Sequence, residues 1–286
     1  MRKSFFLWLA VFIAFTLGTG NLYAKSFVMI GGNRIHYELQ GRGQPYIVLV
    51  SGIGSSLNVW DSVSPQLTRL TTTLRYSRPG LGLSTFTGTD KRTLDDVVRE
   101  LGKLLEKLHV PKPFVLVGHS YGGLIVRAFA GAHPDQVAGL LLVDSTFENY
   151  YAVLEKIEPR ARDIEMKSWE SWLQELPAGS AARLEVEAMF AIWDKRSPWN
   201  NQAASKIPTF VLTSVKLAPD EPLRNTEQLM QARYDTHQKW MNTLTWSMHV
   251  STPKSGHFIQ DEEPSLLVQA ANMLLTVIRS SAGGKK

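Results

Sequence analysis

The chain has 286 residues, 44% of them hydrophobic and 20% charged, with a formal net charge of +5, an isoelectric point near 9.3 and no cysteine. A chain of this length buries one large α/β core, or one core with an inserted subdomain. The lack of cysteine excludes a disulfide framework, thiolate metal ligands and a thiol nucleophile, and so small a basic excess gives no footprint for nucleic acid.

The first 24 residues read as a signal peptide, to be removed from the mature protein. Arg2 and Lys3 form a positive n-region, Phe5 to Leu17 is an almost unbroken apolar run, and Gly18-Thr19-Gly20-Asn21 loosens the chain before Leu22-Tyr23-Ala24. That order predicts cleavage after Ala24 and export to a periplasm-type compartment, with only transient contact with the membrane. The apolar run of 13 residues falls short of the ~20 a bilayer-spanning helix needs. An uncleaved N-terminal anchor is the alternative. Without Arg2 and Lys3 the balance is 29 basic to 26 acidic residues.

From Lys25 onward strands and helices alternate. Phe27 to Ile30 and Arg34 to Leu39, joined by Gly31-Gly32-Asn33, predict a β-hairpin. Tyr46 to Val50 is a continuous apolar strand of the kind buried on both faces, and it ends in Ser51-Gly52-Ile53-Gly54. A helical stretch around Trp60 to Leu70, a strand at Thr73 to Tyr76 and a glycine-rich turn, Ser77 to Ser84, follow. Apolar residues at 94, 97, 98, 101, 104, 105 and 108 give a helix. Strand Phe114 to Val117 and strand Val137 to Val143 come next, the latter ending at Asp144. The rhythm breaks between Phe147 and Ser205, a helical stretch with Trp169, Trp172, Trp193 and Trp199. It resumes with strand Pro208 to Thr213, helix Thr226 to Leu244, strand Ser247 to Ser251 and helix Pro264 to Ile278. The fold class is therefore α/β: a mostly parallel sheet with helices on both faces. An insert over 147–205 would sit above the carboxyl edge of that sheet, where open α/β sheets bind ligands. This divides the chain into a core first part over 25–146, a helical cap over 147–205, and a core second part over 206–286.

The chemistry points to Gly118-His119-Ser120-Tyr121-Gly122. An apolar strand runs straight into it and a helix-compatible stretch follows, so Ser120 stands at the apex of a sharp turn whose glycines remove clashing side chains. By itself the pattern also fits a tight strand-to-helix turn in another α/β protein. With the glycine turn after the strand at 73–76 and the inserted helices, the chain resembles a capped α/β-hydrolase over nearly all of its mature length.

A serine hydroxyl needs a base to be a nucleophile at neutral pH. Of seven histidines, only His257 follows the last strand in a loop, Ser255-Gly256-His257, with an acidic, Pro-started helix behind it. The resemblance implies that this is the base. It also implies a carboxylate that orients the imidazole, and here the sequence departs from the family, because Leu217 stands where relatives most often carry Asp. Asp144, at the end of the preceding core strand, is the expected acid, with Asp220 as the alternative. The oxyanion hole implied is the backbone N–H of Ile53 and of Tyr121. Ser51 and Ser77 replace the His and Asp usual in relatives, changes expected to affect loop support rather than chemistry. Gly52-Ile53-Gly54 lacks the third glycine of a dinucleotide fingerprint, Leu57 standing there, and no metal-binding motif occurs.

A serine at the apex, rather than the carboxylate of epoxide-opening relatives, implies acyl transfer to water. The expectation is a cofactor- and metal-independent serine hydrolase acting on a small carboxylic ester or lactone with an apolar part, which the cap's Met166, Trp169, Trp172, Met189, Phe190 and Trp193 would receive. Cofactor-free haloperoxidase or carbon–carbon bond hydrolysis on the same triad is one alternative. A ligand-binding relative that has lost turnover is another.

Overall fold

Both faces of the central strands are apolar, so the sheet they form has to be covered twice. A computed structural model describes residues 25–88, 91–197 and 204–283; the expected signal segment and Trp199 lie outside the described residues. β1 (Ser26–Ile30) and β2 (Asn33–Gln40) form the expected hairpin. β3 (Ile47–Val50), β4 (Thr73–Tyr76), β5 (Phe114–His119), β6 (Val137–Val143), β7 (Thr209–Ser214) and β8 (Ser247–Thr252) complete a sheet of order β1-β2-β4-β3-β5-β6-β7-β8. β2 runs antiparallel to both neighbours, and β4-β3-β5-β6-β7-β8 pair in parallel.

Alternation along the strands sorts the core in two. Val48, Val50, Leu116, Leu140 and Leu142 pack on one face with Leu101 and Leu105 of α2 (Leu94–Lys107) and Val126 and Phe129 of α3 (Tyr121–Ala132). Ile47, Leu49, Val117, Leu141 and Val143 pack on the other with Leu67 of α1 (Ser64–Leu70) and Leu267 and Leu274 of a long C-terminal helix. The strand period of two thus accounts for both hydrophobic layers.

Among the described residues, three α-helices lie between β6 and β7: α4 (Tyr150–Leu154), α5 (Ala161–Glu175) and α6 (Ala181–Asp194). α7 (Glu227–Met241) joins β7 to β8, and α8 (Ile259–Glu262) and α9 (Pro264–Gly283) end the chain. The helix expected around Trp60 to Leu70 differs most, and other ends shift by a few residues: α7 stops at Met241 rather than Leu244, and α9 runs to Gly283 rather than Ile278. The stretch at Trp60 divides into a 3₁₀ turn, Leu57–Trp60, and α1, because Pro65 has no N–H to continue a preceding helix and suits a first turn. Pro264 likewise starts α9 and leaves α8 as a single turn after the His257 loop.

The parallel strands bring their carboxyl ends to one edge. Residues 51–54 after β3, Ser120 after β5, Asp144 after β6 and Ser214 at the end of β7 are therefore neighbours, although up to 163 positions separate them in sequence. Close approach fixes the residue type at the turn into α3: a Cβ on Gly122 would lie 2.1 Å from the Val50 carbonyl oxygen. Gly122→Ala should therefore cost about 3 kcal/mol or more, since backbone must move. Gly179→Ala, with φ +73 but open space around it, should cost about 1 kcal/mol. Urea unfolding of both variants checks the contrast.

Candidate active site

Ser120 holds φ 54 and ψ −120, a conformation that a non-glycine residue keeps only when its surroundings impose it. Here they do: Ser120 N–H donates to the Val143 carbonyl at 3.1 Å, and the Ser120 carbonyl accepts from Gly123 N–H at 2.9 Å and from Thr146 N–H at 3.3 Å. The side chain lines a cavity of about 440 Å³ together with Asp144 and His257.

Asp144 is fully buried and also has a positive φ, 39. Its Oδ2 lies 2.7 Å from His257 Nδ1, and the carboxylate accepts, so that nitrogen carries the proton and leaves Nε2 as the ring's base. Arg224 Nη1 donates to the same oxygen at 3.0 Å, and Ser214 N–H donates to Oδ1 at 3.0 Å. Burial alone would raise the Asp144 carboxyl; Arg224, the His257 hydrogen bond and Arg233 outweigh it and hold the group well below the usual carboxylate range. Asp220, the alternative acid, is exposed and also lines the cavity, but makes no hydrogen bond to His257 among the described residues. Leu217 is exposed.

The backbone amides of Ile53 and Tyr121 donate to no described backbone group outside their own elements, and Ile53 lines the same cavity as Ser120. The loop carrying Ile53 is braced from below. Trp60 Nε1 donates to Ser51 Oγ at 3.1 Å, and Ser51 Oγ donates to the Ser56 carbonyl at 3.1 Å. Ser77 Oγ accepts from Leu57 N–H at 3.0 Å. The two serines that depart from the family pattern thus serve the loop.

A buried ion cluster, absent from the sequence reading, ties α6 to that loop. Arg78 donates to the carbonyls of Ser51 at 2.6 Å and Gly52 at 2.8 Å, and its Nε and Nη2 engage Glu185 of α6 at 2.7 Å each. Arg92 adds a bond to Glu185 at 2.6 Å. Burial would raise the Glu185 carboxyl; Arg78, Arg92 and the Gly54 N–H overcome that and lower it. Bidentate geometry of this kind fixes position as well as charge.

A second network reaches the Asp144 loop from the far side. His237 Nε2 donates to the Ser145 carbonyl at 2.9 Å, so its Nδ1 accepts from the Thr213 hydroxyl at 2.7 Å, and that hydroxyl accepts from His249 Nε2 at 2.8 Å. His119, inside the elbow, sits 2.9 Å from the His257 carbonyl through Nε2. Of the aromatic and Met residues expected to face the cleft, Trp169, Trp172, Met189 and Trp193 line the cavity, whereas Phe190 is buried in the core cluster and Met166 packs against it. Arg224, Arg233 and Glu165 also line it and were not anticipated. Arg233 had a signal: it falls on the apolar stripe of α7 with Met230, His237 and Met241, where a cation is out of place.

A model of the alpha/beta hydrolase family matches residues 47–270, well over half of the chain. The chain belongs to the alpha/beta hydrolase family. It is 38% identical over 118 residues to a soluble epoxide hydrolase of Corynebacterium sp. (strain C12), a match covering 41% of this chain and 40% of that one. It is 32% identical over 114 residues to the pimeloyl-[acyl-carrier protein] methyl ester esterase of Klebsiella pneumoniae (strain 342), covering 40% and 42%. The chain thus spans about two-fifths of the length of these relatives. Among solved structures, a thermophilic esterase from Thermogutta terrifontis superimposes with a TM-score of 0.59 at 20% identity, over 89% of this chain and 97% of that one, a likeness of fold.

The buried histidines give the protein a pH dependence. Burial pushes His119 and His237 down to about 3 and His249 to about 4, whereas in the unfolded chain each titrates near 6.5. The unfolded state then binds the protons, so this stability is complete above about pH 6.5 and is lost as pH falls toward the folded values. Urea unfolding between pH 7 and pH 5 should show an uptake approaching one proton for each of the three, and His249→Gln should remove one of them. A flat profile would contradict neutral burial.

Proposed function

We propose that this chain is an exported serine hydrolase that cleaves a small carboxylic ester or lactone through an acyl-enzyme. The observation that carries the reading is the 2.7 Å contact between Asp144 Oδ2 and His257 Nδ1, made in the cavity that Ser120 lines. In the proposed sequence His257 Nε2 takes the Ser120 proton as Oγ attacks the ester carbonyl carbon. The amides of Ile53 and Tyr121 receive the developing oxyanion. The alcohol leaves with the proton from His257, and water, deprotonated by the same nitrogen, then releases the acid. Asp144 stays ionised throughout and keeps the imidazole in the required tautomer.

Several features support this over other chemistry of the family. The apex residue is a serine, which forms an ester intermediate, as suits the ester-cleaving relative better than the epoxide-opening one. The inserted helices act as a cap: their Trp169, Trp172 and Trp193 give the cavity the apolar walls an acyl or alcohol chain needs. Ser120 Oγ makes no hydrogen bond to His257 among the described residues, and such contacts commonly tighten only with substrate in place. Export rests on residues 1–24, and a secreted product beginning at Lys25 is its check.

Kinetics on a panel of short-chain aryl esters test the assignment of the acid. Asp144→Asn should lower kcat by about 10³–10⁴-fold, because the imidazole loses its tautomer control, while Asp220→Asn should stay within a few-fold of wild type. The reverse ranking would overturn it.

A further inference from the structure

Arg233 is a buried cation whose ion pair, with Asp144, is long. Its side chain is 4% exposed, and it makes no hydrogen bond among the described residues. Its closest carboxylate oxygen, Asp144 Oδ2, is 3.6 Å away and already accepts from His257 and Arg224, while Oδ1 accepts from Ser214 N–H. Glu165, the other carboxyl on the inner wall, receives Trp169 Nε1 at 2.9 Å and the Tyr150 hydroxyl at 3.3 Å, and forms no ion pair with either arginine among the described residues. Glu221 is largely exposed and engages Arg224 Nε at 3.4 Å. Arg233 Nε, Arg224 Nη2 and Thr146 Oγ1 are buried without a hydrogen-bond partner among the described residues. All three residues line the cavity that holds Ser120.

Guanidinium groups only donate, and one taken out of water without an acceptor is costly. A wall that gathers spare donors beside the catalytic residues is complementary to an anion, and the planar fork of arginine matches a carboxylate. Trp169, Trp172 and Trp193 add aromatic surface to the same cavity. We infer that Arg233, with Arg224 Nη2 and Thr146 Oγ1, forms a subsite for a carboxylate of the substrate. The substrate is then an amphiphilic ester with one free carboxylate and an apolar part. This inference rests on the serine hydrolase reading and narrows it to acidic esters.

The test uses matched esters that differ only in the free acid. 4-Nitrophenyl half-esters of succinate, glutarate and adipate are compared with their methyl-capped diesters, which puts the acid on the acyl side. Butyrate esters of 4-hydroxybenzoate and of its methyl ester put it on the alcohol side. Wild type should favour the free acid in kcat/KM, in at least one of the two series, by on the order of tenfold or more. Arg233→Met should bring that ratio close to one, and Arg233→Lys should keep part of it. No preference in either series, or a ratio unchanged in Arg233→Met, overturns the subsite. Equal losses on charged and capped esters would make Arg233 a counter-ion of Asp144 only, and overturn it as well. If wild type turns over none of the esters, the hydrolase reading fails, and calorimetry still decides the subsite. Glutarate binding to wild type, with dimethyl glutarate not binding, supports it; no glutarate binding refutes it. The same comparison on wild type serves if the Arg233 variants do not fold.

Discussion

One buried negative charge governs the carboxyl edge of the sheet. Asp144 is fully buried, and its donors come from the protein, delivered by the ends of the parallel strands and the segments after them. Ser214 N–H arrives from the neighbouring β7, Arg224 from the segment after it and His257 from the loop after β8, while Arg233 of α7 adds its charge at 3.6 Å. Removing one partner of a buried charge leaves the rest uncompensated, which is far worse than never having buried it. The position of the imidazole, the tautomer it holds and the packing of three loops therefore depend on the same carboxylate. The positive φ of Asp144 is part of this arrangement, because it turns the chain sharply at the end of β6.

A second buried carboxylate links the inserted helices to the loop that carries Ile53. Glu185 on α6 and the carbonyls of Ser51 and Gly52 share one guanidinium, that of Arg78. The helical segment and the loop are thus held by one planar group. A shift of α6 would either strain the Arg78 fork or carry residues 51–54 along with it. Arg92 prevents Glu185 from turning away by occupying its Oε1, and anchors the assembly to Glu100 of α2. Cavity wall and elbow surroundings are in this way set by the same few charges, which leaves the aromatic residues free to shape the apolar side.

Much of the fold was legible because its signals are local. Continuous apolar runs marked β3, β5, β6 and β7, the 3.6-residue period marked α2, and the two glycines flanking His119-Ser120-Tyr121 marked the turn. Strand and helix ends were off by a few residues in several places, as at Met241 of α7, and Pro65 split the helical stretch expected at Trp60. Ser120 and His257 stood out as candidates from motif and chain order, and the structure places both on one cavity. The two candidate acids were harder to separate, since Asp144 and Asp220 both follow core strands; they differ in burial and in reach to the His257 loop, which depend on how β6, β7 and β8 lie side by side. Arg78, Glu185, Arg224 and Arg233 were not legible as a set. Their partners lie far off in sequence, 107 positions in the case of Arg78 and Glu185, and no local pattern encodes a pairing of that range.

Every role proposed for the site depends on Ser120 being an activated nucleophile. Intact mass spectrometry of the protein after exposure to a fluorophosphonate, beside Ser120→Ala, reads this without any assumption about substrate. One adduct on wild type and none on the variant is the predicted result. A correctly folded wild type that takes up no adduct, or a Ser120→Ala variant labelled as fully as wild type, would contradict it.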